Sequence, residues 1–151
     1  NLSPIILSKI AENKNFMNYD MRIVSASPAK AIRLKPFLSL SNTTIYCNKN
    51  EAEKLCKLAF KDTRQASTHL LKDGLRRAIV TDGANPICDL KINHEPILIS
   101  PPKVKYIRHV TGAGDYFLAC HIANEINQLK KENALAQAAK SAAKYVETEI
   151  K

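Results

Sequence analysis

Long apolar runs are missing from this sequence. None of its 151 residues belongs to a stretch of eighteen or more apolar residues, the length at which a helix can span a bilayer. The opening residues, NLSPIILSKIAENKNF, also lack the basic head, long apolar middle and small-residue exit of a secretory signal. Membrane spanning and export are therefore unsupported, and the sequence predicts a cytoplasmic protein.

Paired cysteine spacing is missing as well. Cys47, Cys56, Cys88 and Cys120 show none of the two-residue spacings that zinc sites use, and each stands in an apolar segment. The sequence therefore predicts reduced cysteines that pack as small apolar residues, with neither a disulfide nor a metal role.

The chain also lacks an arginine-rich stripe with aromatic residues beside it. Its formal net charge is +9, and a basic surface attracts polyanions. The lysines are scattered, however, and those at 130, 131, 140 and 144 fall on a helical pattern as a solvated face would. Nucleic-acid binding is therefore a minor alternative, and a protein that handles nucleotide phosphates would carry the same charge balance.

What is present is an alternation of strand and helix patterns. With 45% hydrophobic residues, a chain of this length can bury one core, so residues 1–151 are expected to form a single domain. Short runs rich in β-branched residues predict buried parallel strands at 21–24, 43–47 and 77–81. Helical patterns follow at 51–60, with Leu55, Leu58 and Ala59 on one face, and at 64–74, where Gly74 suits the C-terminal cap.

The pattern changes in the second half. Residues 87–92, 96–100 and 105–110 predict antiparallel strands separated by proline and turn residues. After Asp115 a helical pattern runs to the end, with apolar faces formed by residues 117, 118, 122, 123, 126 and 129 and by residues 135, 138, 139, 142 and 146. Strands that alternate with helices and then turn antiparallel indicate a layered α/β domain.

One stretch, VTGAGDYFLAC at 110–120, has a chemical interpretation. Gly112, Ala113 and Gly114 form a turn between the predicted strand and helix, where helix-terminal amides and the helix dipole favour an anion. Asp115 adds a carboxylate that could take the proton of an attacking hydroxyl, a pairing that suits phosphoryl transfer. A tight turn with Asp115 as a capping residue remains the alternative.

Three motifs in this order resemble the PfkB or ribokinase-like kinases. The family's Thr-Gly-Ala-Gly-Asp signature is matched from Thr111 to Asp115 and again at Phe117 and Ala119. Its Asn-x-x-Glu motif is matched by Asn48 and Glu51. Its Thr-x-Gly element of the nucleotide loop is matched by Thr81 and Gly83. The resemblance implies a ribokinase-like α/β fold with a mostly parallel sheet.

The same resemblance implies a kinase that uses ATP and Mg²⁺ to phosphorylate a sugar or nucleoside hydroxyl. Asp115 would be the general base, and residues 112–115, including Ala113, would form the anion hole. Glu51, together with Asn48, would organise Mg²⁺ near the phosphates, and Thr81, Gly83 and Thr111 would line the nucleotide pocket. Two alternatives stay open from the residues alone: Asn48 as a turn or N-cap residue, and Thr81 as an ordinary strand-end threonine.

Some residues depart from the family pattern. His109 replaces an Asp or Asn and could either form a salt bridge with a phosphate at low pH or pack at the strand end. Packing is favoured because the sequence reveals no partner for it. Asp82 and Pro86 stand where the family tends to have an apolar residue and a glycine, and Tyr116 and Cys120 replace small residues. A negative charge at Asp82 would oppose nucleotide phosphates.

The resemblance covers nearly the whole chain but only the C-terminal half of the family's length. The expectation is that the N-terminal half, with the di-glycine substrate element and the lid strands, is absent. A complementing N-terminal half or a homo-oligomer would then cover the exposed sheet edge. The segments NLSP and VSASPAKAIRLKPFL are similar to pseudouridine-kinase-like members. The alternative function is a catalytically inactive, nucleotide-binding remnant.

Overall fold

A computed structural model describes residues 2–148, in which a five-stranded sheet is covered by helices on both faces. The strands are β1 (Met21–Val24), β2 (Thr43–Asn48), β3 (Arg77–Asp82), β4 (Asn85–Lys91) and β5 (Ile97–Ile99), in the order β1-β2-β3-β4-β5. The first three strands are parallel, and β4 and β5 add to them in antiparallel fashion. The three predicted parallel strands and the layered α/β class are confirmed.

Alternate residues of the central strands face two separate cores. Ile45 and Cys47 of β2 belong to a cluster with the helices of the first half, whereas Tyr46 belongs to a cluster with the last two helices. Side chains alternate because successive residues of a strand point to opposite faces. Of the cysteines, Cys47 and Cys88 are buried and Cys56 and Cys120 are half-buried, as the apolar segments predict.

The helices are α1 (Pro4–Glu12), α2 (Pro28–Ala31), α3 (Lys49–Cys56), α4 (Thr63–Leu70), α5 (Ala113–Ile126) and α6 (Lys131–Glu147). The sequence interpretation missed α1, α2 and the 3₁₀ turns at residues 14–16 and 32–37. The side chain of Ser3 accepts a hydrogen bond from the Ile6 amide, and Pro4 occupies the first turn of α1, so the start of this helix did carry a sequence signal. None of the helices within residues 2–148 is long and apolar enough to cross a membrane.

Two predicted helices have different ends. The helix expected at 51–60 ends at Cys56, because Lys57 adopts the left-handed conformation with φ of 56°. Leu58 and Ala59, expected on its apolar face, are consequently exposed. The prediction for 64–74 is confirmed in its main features, since Ala66 and Leu70 are buried and Gly74 ends the segment with φ of 105°.

The strand predicted at 105–110 is wrong. This segment passes over the C-terminal end of α6, where the amides of Arg108 and His109 donate to the carbonyl of Val146 and the amide of Lys105 donates to the carboxylate of Glu147. A segment rich in β-branched and aromatic residues forms a strand only where a neighbouring strand accepts the hydrogen bonds of its amides. Here a helix end accepts them instead.

The C-terminal helical region is divided in two. The first helix, α5, begins at Ala113, and residues 127–130 separate it from α6. Phe117 is buried as predicted, but Ile126 and Ala123 are exposed. The apolar stripe predicted for α6 is confirmed in the packing, because Leu135, Ala138 and Ala139 are buried against β2 and β3 residues.

Candidate functional site

A cavity of about 190 Å³ lies at the carboxyl ends of β1, β2 and β3. It is lined by Val24, Ser25, Ala26, Tyr46, Cys47, Asn48, Glu51, Ile79, Thr81, Gly112, Gly114, Asp115 and Phe117. The parallel register places Asn48 beside Thr81, and the start of α5 closes the remaining side. Ligands of open α/β sheets bind at this end of the strands. A larger, mostly apolar cavity of about 350 Å³ lies beside β1 and contains none of the predicted site residues.

Asn48 and Glu51 hold each other at the start of α3. The side-chain oxygen of Asn48 accepts from the Glu51 amide at 2.8 Å, and Oε2 of Glu51 accepts from the Asn48 amide at 2.9 Å. This reciprocal capping box satisfies two otherwise unpaired amides. The capping interpretation of Asn48 is therefore correct, and it is compatible with a binding role because both residues also line the cavity.

Glu51 shares the cavity with a second carboxylate. Burial raises the pKa of Glu51, the hydrogen bond from the Asn48 amide partly lowers it, and the negative charge of Asp115 raises it again. A cation between the two would remove that repulsion. Mg²⁺ is commonly held by one or two carboxylates together with waters and phosphate oxygens. The Glu51 carboxylate, beside Asn48 in the cavity lining, therefore fits a site for Mg²⁺ and its waters.

The amides of Gly114 and Asp115 remain available to an anion. The amide of Ala113 donates to the carbonyl of Val110 at 3.2 Å, and that of Tyr116 donates to Gly112 at 2.9 Å. Within residues 2–148, neither the Gly114 amide nor the Asp115 amide has an acceptor. Both lie in the first turn of α5, where the helix dipole is positive. Ala113 neither lines the cavity nor offers a free amide, so it drops out of the predicted anion hole.

Gly112 is fixed by an aromatic cluster. Its φ is 84°, and a Cβ atom at this position would lie 2.8 Å from the hydroxyl oxygen of Tyr145. The ring of Tyr145 stacks on that of Tyr116 and makes a T-shaped contact with His109, with 4.6 Å between the ring centroids. Its hydroxyl donates a hydrogen bond to the Thr111 carbonyl. The packing interpretation of His109 agrees with this T-shaped contact.

The remaining predicted residues lie at the rim or outside. Thr81 lines the cavity. Gly83 is exposed in the turn between β3 and β4, with φ of 56° and no atom within 4 Å of the position that a Cβ would take. Thr111 is also exposed and does not line the cavity. The structure thus brings together six of the nine predicted site residues: Asn48, Glu51, Thr81, Gly112, Gly114 and Asp115.

A buried polar network beneath the cavity escaped the sequence interpretation. The hydroxyl of Tyr46 is hydrogen-bonded to Nδ1 of His121 at 3.0 Å and accepts from Arg22 at 3.3 Å. Burial raises the pKa of Tyr46 to about 12, with smaller opposing effects from Arg22. Burial likewise lowers the pKa of the enclosed His121, and the charge of Glu125 only partly offsets it. Tyr46 is therefore a neutral, fixed wall of the cavity.

The network continues as ion pairs away from the cavity. Arg77 pairs with Asp89 and Glu125, and Arg22 also pairs with Glu125. Burial raises the pKa of Glu125, but the hydrogen bond and charge of Arg77 outweigh it, so the net pKa is lowered. Arg77 is the first residue of the apolar run RAIVT. A charged residue in a buried strand indicates that a partner of opposite charge is buried beside it. Its partners, however, come from distant segments that no local pattern identifies.

The fold and this cavity define an α/β protein with a polar cavity at the carboxyl ends of its parallel strands. The chain belongs to the PfkB family, because the model of pfkB family carbohydrate kinases matches residues 5–149. This family membership confirms the resemblance carried by the three motifs.

Solved structures of sugar and nucleoside kinases share the fold. A putative sugar kinase from Clostridium perfringens is 25% identical with a TM-score of 0.80, and the match covers 95% of this chain and 46% of that one. A carbohydrate kinase from Agrobacterium tumefaciens is 26% identical with a TM-score of 0.76 and coverages of 97% and 46%. Arabidopsis thaliana ribokinase, complexed with ribose and ATP, is 19% identical with a TM-score of 0.79 and coverages of 97% and 47%.

The chain therefore spans slightly less than half the length of these kinases. No curated protein matches it.

Proposed function

We propose that this chain is the nucleotide- and phosphate-binding part of an ATP-dependent kinase that phosphorylates a hydroxyl of a sugar or nucleoside. The observation that carries the proposal is the cavity itself. It joins three motifs that lie about thirty residues apart in the sequence: Asn48 with Glu51, Thr81, and the start of α5 with Asp115.

Each part of the cavity has a task in this reaction. The amides of Gly114 and Asp115 would hydrogen-bond the transferring phosphoryl group, with the positive end of the α5 dipole behind them. The carboxylate of Asp115 would accept the proton of the attacking hydroxyl. Thr81 and Asn48 would line the nucleotide side, at the adjacent ends of β2 and β3.

Glu51, together with Asn48, would organise Mg²⁺ and its waters, and the bound ion would neutralise phosphate charge. The capping box supports this assignment because it fixes the rotamer of Glu51 through one carboxylate oxygen, Oε2. The other oxygen, Oε1, is then available to a cation or its waters.

For the acceptor, we propose a pseudouridine-like nucleoside. The segment VSASPAKAIRLKPFL carries that resemblance, and its first residues, Val24, Ser25 and Ala26, line the cavity on the side away from Thr81. Ser25 is buried, and its hydroxyl contacts the Ser27 carbonyl at 3.4 Å, a long bond that a substrate hydroxyl could replace.

Further polypeptide would complete the enzyme. β1 is an edge strand, and Val24 on it is exposed, as are Ile5 and Ile6 of the nearby α1. An uncovered edge with apolar neighbours favours pairing with another chain segment. We propose a complementing half or a second copy as that segment. A cytoplasmic location is supported by the four unpaired thiols, which persist in a reducing compartment.

The test compares Asp115→Asn with the unaltered chain in MgADP binding and, with the N-terminal half of a PfkB kinase added to each, in ATP-dependent phosphorylation of pseudouridine and ribose. We expect Asp115→Asn to retain ADP binding but to lose phosphorylation by about 100-fold or more, the usual contribution of a general base. Asp73→Asn, an exposed carboxylate outside the cavity, is the matched control and should behave as the parent does.

Equal turnover by parent and Asp115→Asn would show that Asp115 is not the base. MgADP binding without phosphorylation by either form would favour the alternative, an inactive nucleotide-binding remnant. Absence of both binding and turnover would contradict the proposed function altogether.

A further inference from the structure

A negative charge lies close to the cavity without lining it, and the proposed ligand is itself an anion. Asp82 directly follows the cavity residue Thr81, and a free carboxylate there would repel nucleotide phosphates. In the structure its Oδ2 lies 3.7 Å from Nζ of Lys49 and accepts a hydrogen bond from the Asn85 side chain at 3.0 Å. The charge of Asp82 is therefore paired.

Lys49 is the first residue of α3 and directly follows Asn48, the last residue of β2. The parallel register sets Asn48 beside Thr81, so Lys49 and Asp82 follow two paired residues. Nζ of Lys49 also lies 3.5 Å from the carbonyl oxygen of Phe60, to which it donates. Together with the ion pair to Asp82, this contact fixes the position of the ammonium group.

The pair contributes little to folding. The side chains of Lys49 and Asp82 are 25% and 29% exposed, and ion pairs this accessible to water add little stability. The affinity for a charged ligand is affected more than folding stability. Removing either partner leaves the charge of the other unbalanced near the ligand.

We infer that Lys49 neutralises Asp82 beside the nucleotide side of the cavity and thereby sets the affinity of the site for a charged nucleotide. This inference rests on the proposed function, since it concerns the same site. Lys49 and Asp82 act on the ligand in opposite directions: without Asp82 the surroundings of the cavity gain one positive charge, and without Lys49 they gain one negative charge.

The experiment is calorimetric titration of the parent chain, Asp82→Asn and Lys49→Gln with MgADP, AMP and adenosine. We expect Asp82→Asn to tighten MgADP binding about fivefold and Lys49→Gln to weaken it about equally, as one unit charge would at roughly 9 Å and an effective dielectric constant of about 40. Adenosine, which carries no charge, should bind all three forms alike. Both effects should shrink in about 1 M salt, where the screening length is roughly 3 Å.

Two further variants separate charge from shape. The exchanged pair Lys49→Glu with Asp82→Lys restores neutrality and should return MgADP affinity close to that of the parent. Asp73→Asn removes a negative charge away from the cavity and should leave every affinity unchanged.

The outcomes distinguish the inference from the proposal beneath it. If the parent binds MgADP but neither Asp82→Asn nor Lys49→Gln alters the affinity, the inference is wrong and the proposed function stands. Equal changes for adenosine and MgADP would indicate a disturbed turn and would also overturn it. If the parent binds none of the three ligands, both fail.

Discussion

Two separate features of the structure require glycine at position 112. Its φ of 84° lies in the left-handed region, and the space where a Cβ would stand is taken by the Tyr145 hydroxyl at 2.8 Å. Gly114, two residues later, has ordinary helical geometry and no atom within 4 Å of the corresponding position. The backbone conformation and its packing thus require glycine at 112, whereas the structure leaves room for a side chain at 114, where the proposed role is to offer its amide to an anion.

We expect Gly112→Ala to lower the free energy of unfolding by about 2 kcal/mol, because the left-handed conformation alone costs an alanine roughly 1–2 kcal/mol. Gly114→Ala is the matched control, and we expect it to be neutral or to stabilise the chain by up to about 1 kcal/mol, as alanine does in helices. Urea denaturation measures both. Adding Tyr145→Phe to Gly112→Ala should recover only the part due to the hydroxyl contact, and equal losses from the two glycine variants would contradict this account.

At the scale of an element, the start of α3 combines helix capping with a carboxylate that lines the cavity. The capping box stabilises the helix through Asn48 and Glu51, yet the same geometry buries the Glu51 carboxylate near Asp115. Because its pKa is raised in the folded chain, ionised Glu51 opposes folding. This contribution is absent below the unfolded carboxyl pKa, appears as the pH rises, and is complete above the folded pKa.

We expect Glu51→Gln to be more stable than the parent at pH 7 and equal to it below pH 4.5, the ordinary carboxyl pKa. Glutamine keeps the acceptor of the capping box but carries no charge. Asn48→Ala serves as the contrast, because it removes the cap and should cost about 1 kcal/mol at both pH values. Chemical denaturation at the two pH values measures these differences, and a destabilised Glu51→Gln at pH 7 would show that the carboxylate is stabilising there.

Across the whole molecule, buried ion pairs connect distant segments. Arg77 of β3 joins Asp89 of β4 and Glu125 of α5, and Glu125 in turn joins Arg22 of β1. These contacts link three strands and one helix on the face opposite α3 and α4. The side chain of Asp89 is only 2% exposed, so its charge depends on Arg77.

We expect Arg77→Met to lower the free energy of unfolding by about 3–5 kcal/mol, because it leaves a buried carboxylate without a partner. The adjacent Arg76→Met is the control: Arg76 pairs with the exposed Asp20, and such pairs contribute at most about 1 kcal/mol. The double variant Arg77→Met with Asp89→Leu should lose less than Arg77→Met alone. Similar losses from the two arginine variants would contradict the proposed importance of burial.

The local patterns of the sequence predicted much of this molecule. β-branched runs identified β1, β2 and β3. Most of β2 and β3 is buried on both faces, which favours such residues, whereas β1 is a half-buried edge strand. The glycine and aspartate spacing identified the start of α5, since few residues other than glycine accept the backbone found at Gly112. The motif residues of the candidate site were therefore visible before the fold was known.

Only the tertiary structure decided which neighbours satisfied each segment. Residues 105–110 have the composition of a strand, but their amides bond to the end of α6, a partner that local composition does not encode. The pairing of Asp82 with Lys49 and of Arg77 with Asp89 likewise depends on strand register and on residues distant in the chain. Conformational preferences are local and can be predicted from sequence, whereas hydrogen-bond and charge partners are chosen by packing across the whole fold.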